Sequence, residues 1–304
     1  MTMMKKLIGC ASLALAFQAL PAHATLVSYN GFANAANLST AGSAKATSTA
    51  DGTVMRLTSA TGYQGGAAYS TTPITLGANA TFSTSFDFRF TNPGGIAPAD
   101  GITFILSNSA SGLGNTGYGL GLPTSSQAKS VAIEFDTYNN GAIDGNSSNH
   151  VGIDINGNTT SAYTNSVYGV SNCSTSATYK AAGCMANGDL WNVNISYDGS
   201  KLTTYLTDPA KGASWVAINS YAIDIASLLG TTQAYVGFTA STGGGYENQD
   251  IVNWQFANTT QLASKPAATV AEPSSLALLG LGAIGLGLVN RRRQRGKLAR
   301  NSAA

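Results

Sequence analysis

Residues 131–155 read VAIEFDTYNNGAIDGNSSNHVGIDI, and this stretch decides the fold. Val131 to Tyr138 alternates apolar and polar side chains, the period of a half-buried strand. Val151 to Ile155 alternates again and reads as a second strand, with a polar loop rich in Gly and Asn between the two. Successive side chains on a strand point to opposite faces, so Glu134, Asp136 and Tyr138 share one face. Two neighbouring carboxylates repel each other and are costly to bury unpaired, a cost that a bound cation removes. Asn140, Asp144 and His150 follow in the loop. Carboxylates with an amide oxygen and a backbone carbonyl suit a hard cation such as Ca²⁺. Two carboxylates with an imidazole suit a transition ion such as Mn²⁺, and Asp136 and Asp144 can bridge both. The plainer reading is an acidic edge strand over a solvated loop. The ordered addition of Asn140, Asp144 and His150 favours the metal.

Around this stretch the chain is built for strands. It has 304 residues, 35 of them Gly, and only 10% are charged. Short apolar runs separated by Ser, Thr, Asn and Gly suit one all-β domain with many turns. The formal net charge of +2 comes from the two ends. Without Lys5, Lys6 and the basic residues of 291–300, the domain is about five units negative, which excludes the basic face that nucleic-acid binding needs.

The strand pattern recurs on both sides of the central stretch. Leu26–Phe32, Val54–Thr58 and Gly66–Ser70 read as strands, and Phe82–Phe90 alternates strictly with Phe on one face. Asn92–Ala99 reads as a loop, Asp100–Leu106 as a strand. GLGNTGYGLGL over 112–122 lacks the Lys-Ser/Thr of a phosphate loop and reads as a flexible loop bringing backbone N–H groups to a ligand. Trp191–Tyr197 and Lys201–Leu206 flank Asp-Gly-Ser as a hairpin, with Trp191 read as packing. Thr159–Asn172 gives no register, and Tyr221–Leu229 reads as a helical turn. Ala234–Phe256 reads as strand, glycine loop, strand.

Glu134-Phe-Asp-Thr-Tyr138, then Asn140, Asp144 and His150-Val-Gly-Ile-Asp154, resembles the metal loop of the legume-type (L-type) lectins. The resemblance runs over about 29–256 and implies a concanavalin A-like jelly-roll sandwich of two antiparallel sheets. It implies that Glu134, Asp136, Asp144 and His150 hold the transition ion, and that Asp136, Asn140, Asp144 and the Tyr138 carbonyl hold Ca²⁺. Ala99-Asp100-Gly101 resembles the family step whose Asp sits on a cis peptide and accepts hydrogen bonds from sugar hydroxyls. By the same resemblance a backbone N–H near Gly117 to Gly119 meets the sugar, with Asn140 and a stacking Tyr138. The loop Gly243–Gln249, including Gly245 and Tyr246, sets sugar choice. Gln249 stands where the family has His.

The ends read as targeting segments. Residues 1–24 carry Lys5-Lys6, an apolar core and Ala22-His23-Ala24, the parts of a secretory signal. Export to an oxidising compartment leaves Cys173 and Cys184 as an even pair, expected to form a disulfide. The lectin-like domain is expected over 25–260 and a linker over 261–271. In 272–304, Glu272-Pro273, an apolar run and an arginine cluster resemble the PEP-CTERM sorting signal of Gram-negative bacteria, although Ala271 replaces the first Pro of V-P-E-P. The run 276–289 is shorter than the roughly 20 residues of a usual span, and Ser274 and Ser275 extend it. This resemblance implies exosortase processing, a transient inner-membrane anchor, and delivery to the cell surface or the extracellular medium.

The reading that follows is a metal-dependent binder of glycans or exopolysaccharide and not an enzyme. A matrix protein using the fold without sugar binding is the first alternative. A glycoside hydrolase is the second, but hydrolases of this fold carry E-x-D-x-x-E, and Asn139 stands where the second Glu belongs. No Ser-His-Asp set is available, because His150 is the sole His left once His23 is removed.

Overall fold

The computed structural model describes residues 25–110 and 112–262. The expected signal segment and sorting tail lie outside the described residues. The chain divides into two units, Met1–Ala263 and Ser264–Ala304, and the fold below belongs to the first.

The strands in chain order are β1 (Thr25–Tyr29), β2 (Leu38–Gly42), β3 (Lys45–Thr49), β4 (Gly52–Thr58), β5 (Gly65–Ser70), β6 (Ile74–Thr75), β7 (Phe82–Gly95) and β8 (Gly101–Ser107). They continue with β9 (Ser130–Asp136), β10 (His150–Ile155), β11 (Asn158–Ser166), β12 (Trp191–Tyr197), β13 (Lys201–Thr207), β14 (Val216–Ala222), β15 (Gln233–Ser241) and β16 (Gly245–Ala257). The single α-helix among the described residues is α1 (Ile225–Leu229), inside the expected helical turn. Two eight-stranded sheets result. One runs β14-β13-β12-β7-β16-β4-β3 with β1 added to β16; the other runs β11-β10-β9-β8-β15-β5-β2 with β6 added to β15. Every pairing among the described residues is antiparallel. This is the expected jelly-roll sandwich.

The strict alternation of β7 places Phe82, Phe86, Phe88 and Phe90 on its inner face, each fully buried. They meet the other sheet through aromatic contacts: Phe86 to Phe238 at 4.9 Å, to Phe135 at 5.6 Å and to Phe104 at 6.1 Å between ring centroids. Trp191 lies in the same core, as packing. A second apolar cluster, with Tyr69, Ile105, Leu120, Leu122 and Ala132, pins the glycine loop of 112–122 onto the outer face of the second sheet.

Four readings of the sequence change. The central strand is not half-buried, because every residue of β9 is buried. Its inner face packs in the sandwich, while its outer face lies under the loop that follows it. The predicted loop at Asn92–Ala99 is shortened, because β7 continues to Gly95 and pairs Gly95 and Gly94 with Gly245 and Tyr246 of β16. The glycine loop between β15 and β16 is shorter than Gly243–Gln249, because β16 begins at Gly245. The featureless Thr159–Asn172 turns out to hold most of the edge strand β11.

Candidate metal and ligand site

Three adjacent strands of the second sheet present the site on their outer faces. Register pairs His150 of β10 with Asp136 of β9, and Gly152 with Glu134. Asp136 also faces Gly101 of β8. The ligand atoms of Glu134, Asp136 and His150 all lie within 4.8 Å of one another. They are 1%, 2% and 0% exposed. Gly152 makes this possible, since a Cβ there would stand 2.1 Å from Glu134 Oε1.

The chemistry of this cluster is incomplete as protein alone. The Ser147 carbonyl faces His150 Nδ1 at 3.1 Å and can only accept, so Nδ1 carries a proton. In the neutral imidazole Nε2 is then an acceptor, yet it lies 3.1 Å from Glu134 Oε1, another acceptor. A proton or a metal ion between them resolves the contact. Burial raises the Asp136 carboxyl well above the ordinary range, and the charges of Glu134 and Asp144 push the same way. At His150 burial opposes the charged ring, but the hydrogen bond and charge of Glu134, with Asp144, carry the balance upward. Nothing cationic besides that imidazole is supplied by the cluster. The residues present therefore fit a divalent cation.

The loop after β9 folds back over the cluster. The Tyr138 N–H donates to Asp136 Oδ1 at 2.7 Å, and the Asn140 N–H donates to Asp144 Oδ2. Asp144 is 3% exposed and ends a 3₁₀ turn over Gly141–Asp144, which the Asn140 side chain leaves uncapped. Burial raises the Asp144 carboxyl despite the Asn140 N–H. Tyr138 is half-buried and Asn140 exposed. All six expected metal ligands thus lie at or beside the cluster, three of them within its tight core.

Sequence reasoning missed a further group. Asp154, on the same face of β10, is fully buried, with Oδ2 unpartnered among the described residues. Ser161 of β11 lies against both Asp154 Oδ1, at 3.0 Å, and Glu134 Oε1. The period-two spacing from His150 to Asp154 carried that signal. Asn149 is the second omission. Its amide donates to the Val170 and Gly183 carbonyls at 2.9 and 2.8 Å and accepts from the Met185 N–H at 2.9 Å. The segment so held contains the Cys173–Cys184 disulfide, as expected.

Asp100 stands next to this cluster. The Ala99–Asp100 peptide is cis. The Asp100 N–H donates to the Ser241 carbonyl at 3.0 Å and its carbonyl accepts from the Thr137 N–H at 2.9 Å, tying it between β15 and β9. It is 4% exposed, and its Oδ2 has no hydrogen-bond partner among the described residues. Burial, with the charge of Asp144, raises this carboxyl to about 7. Beneath it Glu247 is fully buried and pushed to about 8 by burial, although Thr137 Oγ1 donates to it at 2.7 Å.

The remaining expected ligand contacts are placed differently. The N–H groups of Gly117 and Gly119 donate to the Thr242 and Thr116 carbonyls, at 3.2 and 3.4 Å, so both are engaged within the protein. Gly245 and Tyr246 lie in β16, and the Tyr246 ring packs over Gly94 and Gly95. Gly243 takes the position nearest the site: a Cβ there would lie 3.3 Å from Asp100 Oδ2 and 3.4 Å from the Gly117 Cα. Gln249 accepts from Thr58 Oγ1 at 2.7 Å and donates to the Ala99 carbonyl at 3.2 Å, under the cis peptide.

Comparison with known proteins agrees with this geometry. The legume lectin domain model matches residues 25–272, and the PEP-CTERM protein-sorting motif matches 269–293. The chain is 33% identical over 207 residues to a lectin alpha chain of Lablab purpureus, covering 64% of this chain and 66% of that one. It is 34% identical over 195 residues to a seed lectin of Styphnolobium japonicum, covering 61% of this chain and 59% of the other. Among solved structures, basic winged bean lectin with Tn-antigen has a TM-score of 0.63 at 25% identity, covering 77% of this chain and 98% of that one. Winged bean acidic lectin complexed with methyl-α-D-galactose has a TM-score of 0.62 at 26% identity, covering 76% and 96%.

Proposed function

This chain belongs to the legume lectin family, and from that premise we propose that it is a metal-dependent carbohydrate-binding protein and not an enzyme. The observation that carries the proposal is the buried set Glu134, Asp136 and His150, which lacks a full protein counter-charge and lies beside Asp100 with its unpartnered oxygen. Glu134, Asp136, Asp144 and His150 would hold a transition ion such as Mn²⁺. Asp136, Asp144, Asn140 and the Tyr138 carbonyl would hold Ca²⁺. The ions supply the positive charge that lets these carboxylates stay ionised while buried.

This chain's own residues then make the pocket. Asp144 accepts from the Asn140 N–H, and in this reading that contact would hold the Asn140 amide and the Tyr138 ring toward the sugar. Asp100 accepts from sugar hydroxyls, Asn140 donates to one, and Tyr138 stacks on the apolar face of the ring. Gly117 and Gly243 lie against each other beside Asp100 and would form the adjoining wall. Two similar proteins were solved with Tn-antigen and with methyl-α-D-galactose, so galactose-type sugars head the panel to be tried. Affinity per site is expected to be weak, and several copies on a surface would raise avidity.

The sorting motif at 269–293 supports export in a bacterium and processing by an exosortase. We place the mature domain at the cell surface or in an extracellular glycan matrix, after a transient inner-membrane stage.

The test is glycan binding by the purified domain, chelated and then reloaded with Ca²⁺ and Mn²⁺. Binding should vanish on chelation and return on reloading. Binding that persists in the metal-free protein would overturn the mechanism. A matrix role without sugar binding predicts a lower melting temperature in chelator and no glycan signal in either state.

A further inference from the structure

We infer that Glu247 and Gln249 are positioning residues for the sugar site: from the interior of the sandwich they hold the Ala99–Asp100 step in place, so that glycan affinity depends on them while metal binding does not. The inference rests on the sugar-binding reading of Asp100.

Both residues sit where an apolar side chain belongs. Glu247, Gln249 and Ile251 are spaced by two along β16 and share its inner face. Ile251, Trp254 and Phe256 of this strand join the main core. Glu247 and Gln249 are as deeply buried, at 0% exposure. An amide and a carboxyl in the interior cost stability unless each polar atom finds a partner. The partners they find lead to Asp100.

Thr58 of β4 donates to Gln249 Oε1 at 2.7 Å, and Gln249 Nε2 donates to the Ala99 carbonyl at 3.2 Å. The Thr137 hydroxyl donates to Glu247 Oε1 at 2.7 Å, while the Thr137 N–H donates to the Asp100 carbonyl at 2.9 Å. Thr58 and Thr137 are buried as well. The back sheet thus reaches across the sandwich and holds the carbonyls on both sides of the Asp100 Cα. Only an amide side chain accepts from Thr58 and donates to a carbonyl at once, which is the use of Gln at 249. Burial pushes the Glu247 carboxyl to about 8, with the Asp100 charge acting the same way and the hydrogen bonds of Thr137 and Gln249 against it. Near neutral pH Glu247 is therefore an uncharged acid, which accepts from Thr137 without repelling Asp100. Among the described residues neither Glu247 nor Gln249 hydrogen-bonds Glu134, Asp136, Asp144 or His150. Sugar contact and ion contact are accordingly separable.

The test titrates the metal-loaded domain with methyl glycosides of galactose, N-acetylgalactosamine, glucose and mannose, and the metal-free domain with Ca²⁺. Gln249→Leu and Glu247→Leu should each weaken glycoside binding about tenfold and leave Ca²⁺ affinity within about twofold. Glu247→Gln keeps an uncharged acceptor for Thr137 and should bind glycoside as the unaltered protein does. The two leucine changes together should cost less than the product of their separate effects, because they act on one step. Thr58→Val, a milder change that takes the donor from Gln249, should weaken binding about threefold and serves where a leucine variant fails to fold. Unchanged glycoside affinity in folded Gln249→Leu or Thr58→Val would overturn the inference. So would a loss that tracks an equal loss of Ca²⁺ affinity, or a Glu247→Gln protein as weak as Glu247→Leu. If no glycoside of the panel binds, or Asp100→Asn leaves binding intact, the sugar reading itself falls, and the crystal structure of Gln249→Leu reads the positioning alone. A displaced Asp100 there would support it, and an unmoved Asp100 would overturn it.

Discussion

Two buried aspartates solve the same electrostatic problem in different ways. Asp250 is 4% exposed and Asp136 is 2% exposed. Asp250 meets the Arg56 guanidinium through two hydrogen bonds, 2.8 Å from Nε and 2.7 Å from Nη2. Asp136 meets Glu134, Asp144 and Asp100 as further negative charges, with one imidazole alongside. Where this chain needs a structural carboxylate it supplies its own fixed cation. At Asp136 the proposed function has the cation acquired from solution. The difference separates the two regions by what should perturb them: solutes that remove metals for one, substitution of a partner for the other.

The largest expected effect is on the acquired side. Chelation should lower the melting temperature by roughly 10 °C or more, because a ligand at a thousand times its Kd stabilises by about 4 kcal/mol and two ions add. Differential scanning calorimetry with and without chelator reads this directly. Asp136→Asn should remove the response to added Ca²⁺ and Mn²⁺. A protein whose melting is indifferent to chelator would erase the contrast.

Next comes the built-in side. Arg56→Ala strands Asp250 without its partner and should cost about 3 kcal/mol in urea unfolding, the low end for a buried pair because Arg56 is partly exposed. Metal content and glycan binding should not change. A loss of metal in this variant would show the two regions to be coupled.

A smaller effect lies at the brace between them and the surface. The disulfide joins cysteines separated by 11 residues. Replacing Cys173 and Cys184 by Ala should cost about 2–3 kcal/mol through the unfolded chain. Because Asn149 and Ser148 hold that segment against the His150 end of the loop, metal should also leave faster. Unaltered dissociation would confine the disulfide to a purely local role.

A separate effect is a pH slope in the chelated protein. Asp100 and Glu247 have carboxyls raised to about 7 and about 8 in the fold, so the folded state keeps protons that the unfolded chain has released. Their contribution to stability is full below the ordinary carboxylate range and is lost as pH rises through about 8. Melting temperature should therefore fall between pH 5 and pH 9, and Glu247→Gln should flatten the fall. A temperature that rises over this window would contradict the burial of these groups as ionisable carboxyls.

Much of the contrast was legible in the sequence, for a physical reason. A strand has period two, so Glu134 and Asp136 declare a shared face without any tertiary information. The four phenylalanines of β7 declare the opposite kind of face in the same way. The Arg56 partner was not legible, since Arg56 and Asp250 are joined only by the pairing of β4 with β16. Strands β2, β3 and β11 escaped because they lie at or near sheet edges and carry few buried side chains to mark a period. The extension of β7 through Asn92-Pro93-Gly94-Gly95 ran against every local turn signal. Its pairing with the start of β16 overrode them. Thr137 and Glu247, far apart in the chain, became neighbours only once the sandwich closed.

The most direct measurement is anomalous X-ray scattering at the manganese edge from crystals grown with Ca²⁺ and Mn²⁺. A single strong peak should lie between Glu134, Asp136 and His150, with Ca²⁺ density beside Asp144 and Asn140. A map with no anomalous signal there, and water in place of both ions, would contradict the claim that this chain leaves its buried acids to an acquired cation.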